Sequence, residues 1–297
     1  MEDVSGLYLH LGAHRTGTGS FQEFLLLNSG RLRDHGVNLA VANRDGVLRS
    51  SLKIRLPDAR HFRSGKLADH RRWREEQIDE TALNREPLSL ISEENLPGTI
   101  NKIISPAIYP IARQRLGFLK SGLKRPVRRV LFVTRSYDTF FPSAFRKRME
   151  LRALDPFEHY RDEIMTMRRG WNDVIRDIKD GLEAEEVHVL PFEDRRSYAD
   201  LLRVLLPFLP ADGWILPDGD RNVSATDAAC HAIQRAYHNG EKLSKDRIAE
   251  IAAQFADDPS GPPAAAFSAA DAAALVARYA ADLDAVRALP FVEFHSA

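Results

Sequence analysis

Short apolar runs alternate along most of this chain with longer stretches of helical periodicity, and their order predicts an α/β fold. The first run, Leu7–Leu11, is apolar and β-compatible; after Ser20, residues Phe21, Phe24, Leu25 and Leu27 recur at helical spacing. Val37–Val41, following Gly36, offers a second strand and Leu88–Ser92 a third. Val130–Thr134 is nearly all apolar or β-branched, the composition of a strand buried on both faces of a parallel sheet. Val187–Leu190 is the fifth. Helical patterns occupy Thr99–Leu119, the stretch from Asp138 onward, Tyr160–Leu182 with Trp171 as a packing anchor, and Leu201–Leu209. The Pro/Gly-rich stretch 210–220 reads as a surface connection. Five strands alternating with helices predict three layers, a five-stranded parallel sheet with helices on both faces. From Ser224 the pattern turns all-helical, over Thr226–His238, Ser244–Phe255 and Ala269–Leu289, with Ser224 and Ser244 placed as N-caps. One domain is therefore expected over residues 1–297, with an α/β core at 1–222 and a helical C-terminal extension at 223–297.

Composition narrows the class. A chain of 297 residues with 44% hydrophobic residues is ordinary for one large globular domain. Lys+Arg and Asp+Glu both number 42, so no overall basic field points to nucleic acid as a partner. Locally the balance tips: Arg49, Lys53, Arg55, Arg60, Arg63, Lys66, Arg71, Arg72 and Arg74 face only Asp58 and Asp69 across a basic, irregular insertion. That insertion either lines the mouth of a site for an anionic acceptor or cofactor, or is a solvated surface. The single cysteine, Cys230, excludes an intramolecular disulfide and fits a reducing compartment, and it reads as a helix-packing residue. With no opening signal segment and no run near the roughly 18 apolar residues of a membrane span, a cytoplasmic protein without a span is expected.

Chemistry concentrates after the first strand. Gly12, Gly17 and Gly19 are interleaved with Thr16, Thr18 and Ser20, and a helix follows at once. A strand that turns directly into a helix aims unpaired N–H groups and the positive end of the helix dipole at one point, where glycines admit an anion closely and hydroxyls add donors. The loop is not a Walker A sequence, since Thr18-Gly19 stand where Lys-Ser or Lys-Thr belong; its one cation is Arg15. At the end of the third strand, Glu93 and Glu94 either point into the crevice where doubly wound sheets bind ligands or cap the next helix. Arg135 ends the fourth strand, and Ser143 lies about a turn into the following helix. A guanidinium binds phosphate through two parallel charge-assisted bonds, and the hydroxyl adds another.

The run His14-Arg15-Thr16-Gly17-Thr18-Gly19-Ser20-Phe21-Gln22 resembles the first nucleotide-binding segment of bacterial sulfotransferases, a strand followed by His-Lys-Thr-Gly-Thr-Thr-Ser. Here Arg15 replaces the usual Lys and Gly19 the second Thr. Arg135 and Ser143 have the spacing of the family's second signature, Ser92 and Glu94 match a Ser-x-Glu segment, and Phe192-Glu193-Asp194 is similar to a Tyr-Glu-Asp strand end whose acids are structural. The third segment, Arg-Lys-Gly-x-x-Gly, is absent; Arg221–Ser224 stand where a covering loop would. The resemblance spans about residues 7–209 and implies a P-loop-like sulfotransferase fold. It implies transfer of a sulfuryl group from 3′-phosphoadenosine 5′-phosphosulfate (PAPS), leaving adenosine 3′,5′-bisphosphate (PAP), to a hydroxyl or amine of a sugar, lipid or small metabolite, with no metal. Thr16, Gly17, Thr18, Gly19 and Ser20 would then cradle the 5′-phosphate, and Arg135 with Ser143 the 3′-phosphate. Arg15 would stabilise the leaving oxygen, and Glu94 would act as base, with Glu93 and His14 behind it. Two other classes stay open: a degenerate P-loop nucleotide kinase or NTPase, which would need magnesium, and a non-catalytic nucleotide-binding scaffold. The acceptor and the oligomeric state are not readable from the sequence.

Overall fold

The structure, a computed structural model, describes residues 3–42, 52–53, 55–103, 107–194, 196–218, 225–258 and 260–296; Arg49 and the Arg221–Ser224 run lie outside them. Among the described residues, six strands run parallel in one sheet, ordered β2-β3-β1-β4-β5-β6. The strands are β1 (Gly6–His10), β2 (Asn38–Val41), β3 (Leu88–Ser92), β4 (Val127–Thr134), β5 (Glu186–Pro191) and β6 (Val292–Phe294). Between β1 and β2 lie α1 (Thr18–Leu27) and α2 (Ser29–Asp34); α3 (Ala59–Ser64) and α4 (Ala68–Glu80) precede β3, and α5 (Ala112–Lys120) precedes β4. Then follow α6 (Tyr137–Met149), α7 (Glu158–Met165) and α8 (Trp171–Leu182) before β5, and α9 (Tyr198–Leu205), α10 (Asp227–His238), α11 (Lys245–Gln254) and α12 (Ala269–Arg287) before β6.

The pleat sorts the core into two layers. Alternate strand residues point to opposite faces, so Tyr8, Leu90, Leu131 and Leu190 pack against Phe21, Phe24 and Leu25 of α1 and Leu202 and Leu205 of α9. Leu7, Leu9, Ile91, Val130, Phe132, Val187 and Val189 meet the larger layer, with Leu116 and Leu119 of α5, Phe140 and Phe141 of α6, Val174 and Ile175 of α8 and Leu283 of α12. Both faces are thus covered, which is why β1 and β3 are buried along their whole lengths. Among the described residues, no helix is long and apolar enough to cross a membrane.

Four expectations change. The sheet has six described strands, not five: Val292-Glu293-Phe294 adds the edge strand β6 beyond the helices, too short and too mixed to announce itself by pattern. The basic insertion is not irregular where it is described, because Asp58 caps α3 through Arg60 N and His61 N, and α4 carries most of the remaining charge. The helix expected over Thr99–Leu119 is a short 3₁₀ turn, Ile100–Lys102, with α5 beginning only at Ala112. The one expected over Tyr160–Leu182 is two helices, α7 and α8, separated at Gly170. Cys230 is a buried packing residue on α10, as its sequence context suggests.

Trp171 explains that last break. Its ring stacks on Tyr137 of α6 at 5.6 Å, while its backbone N–H donates to the Tyr137 hydroxyl (2.7 Å) and to Asp282 Oδ2 of α12 (2.9 Å). The Tyr137 hydroxyl also donates to Asp282. Three helices are tied at this knot, and the chain must pass it without a side chain: a Cβ on Gly170 would meet the Asp282 carboxylate and lie 2.6 Å from the Tyr137 oxygen. Gly170→Ala is therefore expected to destabilise the fold by about 1–3 kcal/mol, the usual cost of forcing extra carbon into a packed site. Urea unfolding that gives an unchanged midpoint would show that the knot yields freely.

Candidate functional site

The predicted loop emerges from β1 and stays attached to β4, since Leu11 N donates to Leu131 O (3.0 Å) and Ala13 N to Val133 O (2.9 Å). Both chain segments therefore leave the sheet side by side before α1 departs over one face and α6 over the other. The loop turns through left-handed conformations at Gly12 (φ 54°), Arg15 (φ 66°) and Gly17 (φ 83°). At Gly12 only glycine fits: a Cβ there would lie 2.7 Å from Thr18 Oγ1 and 3.3 Å from Thr16 Oγ1. Arg15 has a side chain in a region that costs such residues strain, a cost that the surrounding bonds must hold in place.

Thr16 closes the turn by donating its hydroxyl to Ala13 O at 2.6 Å. Gly17 sits at the cap of α1, Gly19 and Ser20 in its first turn, and Ser20 is buried. The first helical bond into the cap runs from Phe21 N to Gly17 O (3.1 Å), leaving the N–H groups of Thr18 and Gly19 with no acceptor inside the helix. Thr18 Oγ1 is buried without a hydrogen-bond partner, the kind of orphaned polar atom that native structures rarely leave unexplained.

Arg15, Arg135 and Ser143 meet. Arg15 Nε donates to Ser143 Oγ at 3.1 Å; Arg135 Nη1 donates to the Arg15 carbonyl at 2.6 Å and reaches Ser143 Oγ at 3.4 Å. The Arg135 guanidinium also lies over the Phe192 ring, 4.8 Å from its centroid, and Trp171 Nε1 holds the Arg135 carbonyl at 2.8 Å. Beside them opens a groove lined by Arg135, Ser136, Thr139, Phe192, Glu193 and Val276. Glu193 is structural, accepting from Ser136 N (2.8 Å) at the head of α6 and from the Tyr279 hydroxyl (3.1 Å). Burial lowers the Arg15 guanidinium from its ordinary value, and the charges of Glu150 and Glu94 oppose the shift.

At the end of β3 the two acids separate in role. Glu93 is buried and folded back, its Oε1 accepting from Asn95 N (2.7 Å) and Asn95 Nδ2 (3.0 Å). Glu94 is half-buried, and its charge reaches both His10 and Arg15. His14 is buried and clasped: Nε2 donates to Asn95 Oδ1 (3.0 Å), so Nδ1 is left to accept from the Tyr109 hydroxyl at 2.6 Å. The same hydroxyl accepts from His14 N at 3.1 Å. His14 thus positions the loop through both ring nitrogens.

Sequence reading misses three of these supports. Tyr109 lies in a stretch whose pattern predicts helix; its trace is Gly98, whose Cβ would strike the Tyr109 ring. Asn95 carries no signal of its own. Arg115 of α5 is buried and donates to the carbonyls of Asn95 (2.7 Å), Leu96 (3.1 Å) and Pro57 (2.8 Å), fixing the turn that carries Glu93 and Glu94.

His10, on β1 beneath the loop, gives the site a measurable pH response. It is buried, with Nδ1 2.9 Å from Ser92 Oγ, and burial pulls its imidazole down to about 4 against an upward pull from Glu94. The unfolded chain takes the proton first as pH falls, so His10 contributes stability that is complete above about pH 6.5 and drains away down to about pH 4. The expected loss is on the order of 3 kcal/mol. Unfolding of wild type and His10→Gln across this window should give curves whose separation changes as pH falls, wild type losing the larger share; parallel curves would show that His10 does not titrate as its burial requires.

No family model matches the chain, and no curated protein matches it.

Proposed function

We propose that this chain is a PAPS-dependent sulfotransferase that moves a sulfuryl group onto a hydroxyl or amine. One observation carries the reading: Arg15 in the loop after β1, Arg135 just after β4 and Ser143 on α6 converge beside the glycine-rich turn at the head of α1. That donor set suits a ligand with two separate anionic groups, one at a helix N-terminus and one on a guanidinium–hydroxyl pair. The orphaned Thr18 hydroxyl and the open space beside Gly17, where nothing lies within 4 Å of where a Cβ would stand, fit an anion seated over the loop. The P-loop-like fold and the sulfotransferase family belong to this proposal, supported by the parallel sheet and by the position of these residues at its C-terminal edge.

In this reading Thr16 to Ser20 hold the 5′-phosphosulfate, Arg135 and Ser143 hold the 3′-phosphate, and the Phe192 ring beside Arg135 offers an apolar wall. Sulfuryl transfer is an in-line displacement, so the protein's work is to align donor and acceptor, to offset charge on the departing phosphate oxygen and to take the acceptor's proton. Arg15 supplies the offsetting charge. An arginine pKa, ordinarily above about 12, suits the residue to hydrogen bonding and not to lending a proton. Glu94 takes the acceptor's proton; Glu93 is engaged by Asn95, and His14 acts as a positioning residue. The acceptor is a small molecule, carbohydrate or lipid.

Calorimetry tests the nucleotide site. Adenosine 3′,5′-bisphosphate should bind and ATP with magnesium should not compete, while Arg135→Ala should weaken the bisphosphate by about 1.5–3 kcal/mol, the range for hydrogen bonds to charged groups. Tighter binding of ATP with magnesium would move the chain to the kinase class, and binding of neither would leave a scaffold.

Turnover separates the acids. With labelled donor and a panel of acceptors, Glu94→Gln should abolish transfer yet keep bisphosphate affinity, because a base acts on the acceptor side. Glu93→Gln should retain transfer. The opposite pattern would shift the role by one residue, and full activity in both would remove the carboxylates from the chemistry.

A further inference from the structure

At the far edge of the sheet, away from the loop, β6 pairs with β5 over three residues, with Val187 opposite Val292, His188 opposite Glu293 and Val189 opposite Phe294. In a strand, residues two apart share a face. Glu293 and His295 therefore project to the same side as His188, and the pairing places three potential ligands together with no help from a loop. His295 continues the ladder, its N–H donating to Val189 O at 2.9 Å. One donor atom from each of His188, Glu293 and His295 lies within 4.8 Å of the others.

Two of the three already meet nitrogen to nitrogen, and one of these is supported from behind. His188 is buried, and its Nε2 is taken up by Glu186 Oε2 at 3.0 Å; that carboxylate is in turn fixed by Arg129 Nη2 at 2.8 Å. The other ring nitrogen, Nδ1, faces Nε2 of His295 at 2.8 Å, the two rings being inclined by 20°. A carboxylate that holds the far nitrogen of a ligating imidazole is the usual outer support of a metal-bound histidine, since it fixes the tautomer and leaves the near nitrogen as a bare donor. The Glu293 carboxylate lies 3.8 Å from the His188 ring at Nε2 and 3.8 Å from His295 Nε2. It is largely exposed and so has room to swing onto an ion.

We propose that His188 Nδ1, His295 Nε2 and a Glu293 oxygen form a binding site for a divalent first-row transition ion, zinc being the best match, which staples β6 to the edge of the sheet. Two imidazoles and one carboxylate suit zinc, copper or nickel and disfavour magnesium and calcium, which prefer all-oxygen shells. Two bonds of about 2.0–2.1 Å at a tetrahedral angle hold their nitrogens about 3.3–3.4 Å apart, so the facing nitrogens must part by roughly half an ångström and turn their lone pairs onto the ion, which replaces the hydrogen bond between them. His295, partly exposed and one residue beyond β6, can supply that movement. Val292 and Phe294 pack part-buried against the core, but a three-residue edge strand has a short ladder, and metal bonds across both strands would add to it what its length does not give.

The test uses the full chain, free of any affinity tag and stripped with chelator. Calorimetry should detect one equivalent of Zn²⁺, and a free Zn²⁺ concentration about a hundredfold above Kd should raise the unfolding midpoint by about 4 °C. His295→Ala, at a partly exposed position beyond β6, should fold and weaken Zn²⁺ by at least about tenfold, in line with losses seen even for residues that only support a ligand. His188→Ala should do the same where it folds. His70→Ala, whose ring packs on His61 elsewhere on the surface, should leave both readouts unchanged. Absence of stoichiometric binding, equal affinity in His295→Ala and wild type, or loss of binding in His70→Ala would overturn the site.

Discussion

The arrangement at this site depends on one topological constraint: β1 and β4 are neighbours, yet the chain leaves them in opposite directions. After β1 it passes into α1 on the side packed by Phe21 and Phe24, and after β4 into α6 on the side packed by Phe140 and Phe141. Adjacent parallel strands whose connections diverge leave a crevice at their C-terminal ends. Here the two sides are tied together, because the loop keeps pairing with β4 through Leu11 and Ala13 beyond the end of β1. Groups 120 residues or more apart in sequence, such as Arg15 with Arg135 and Ser143, are thereby held at bonding distance.

Packing fixes what topology brings near. The Trp171 indole, buried against Tyr137 and Phe140, donates its one side-chain N–H to the Arg135 carbonyl, so the large core layer sets the position of the guanidinium's own backbone. On the other side of the crevice, Arg115 does the same for the Glu93–Asn95 turn by donating to several carbonyls from within the core; burial lowers its guanidinium to about 10. His14, Asn95, Glu93 and Tyr109 then form a chain of hydrogen bonds linking the loop to that turn. A hydrogen-bonded network of this kind rigidifies a site only when each member is satisfied, and each of these four has a partner.

What could be read from the sequence follows from where the information lies. Buried parallel strands are short, apolar and bounded by turn residues, so β1, β3, β4 and β5 were legible, as was the switch from strand to helix at Gly12–Ser20. The convergence of Arg15, Arg135 and Ser143 was legible only through resemblance, because spacing along the chain says nothing of distance between two strand ends. The edge strand β6 was not: three residues with a glutamate in the middle carry no usable period, and they become a strand because β5 presents an open edge. Helices α3 and α4 were hidden by their charge, since α4 buries only Arg74, Gln77 and Ile78 and so lacks an apolar stripe. Tyr109, Asn95 and Arg115 act through atoms that no local pattern reports.

Arg15 marks where stability and the proposed chemistry pull on the same atoms. Its backbone is left-handed, its carbonyl is held by Arg135, and its side chain is held by Ser143, so the residue is fixed at both ends. Fixing costs strain and desolvation, and burial already works against the charge of the guanidinium. A lysine at this position would present a compact, mobile ammonium on a flexible stem; arginine offers a planar fork of several donors in fixed directions, one of which bonds Ser143. On the proposed reading, the charge is thus set in place before the donor arrives and little reorganisation is left for the transfer step, which is the condition under which a preorganised donor favours the transition state over the ground state. The geometry that makes Arg15 a strained residue is the same geometry that would make it a useful one.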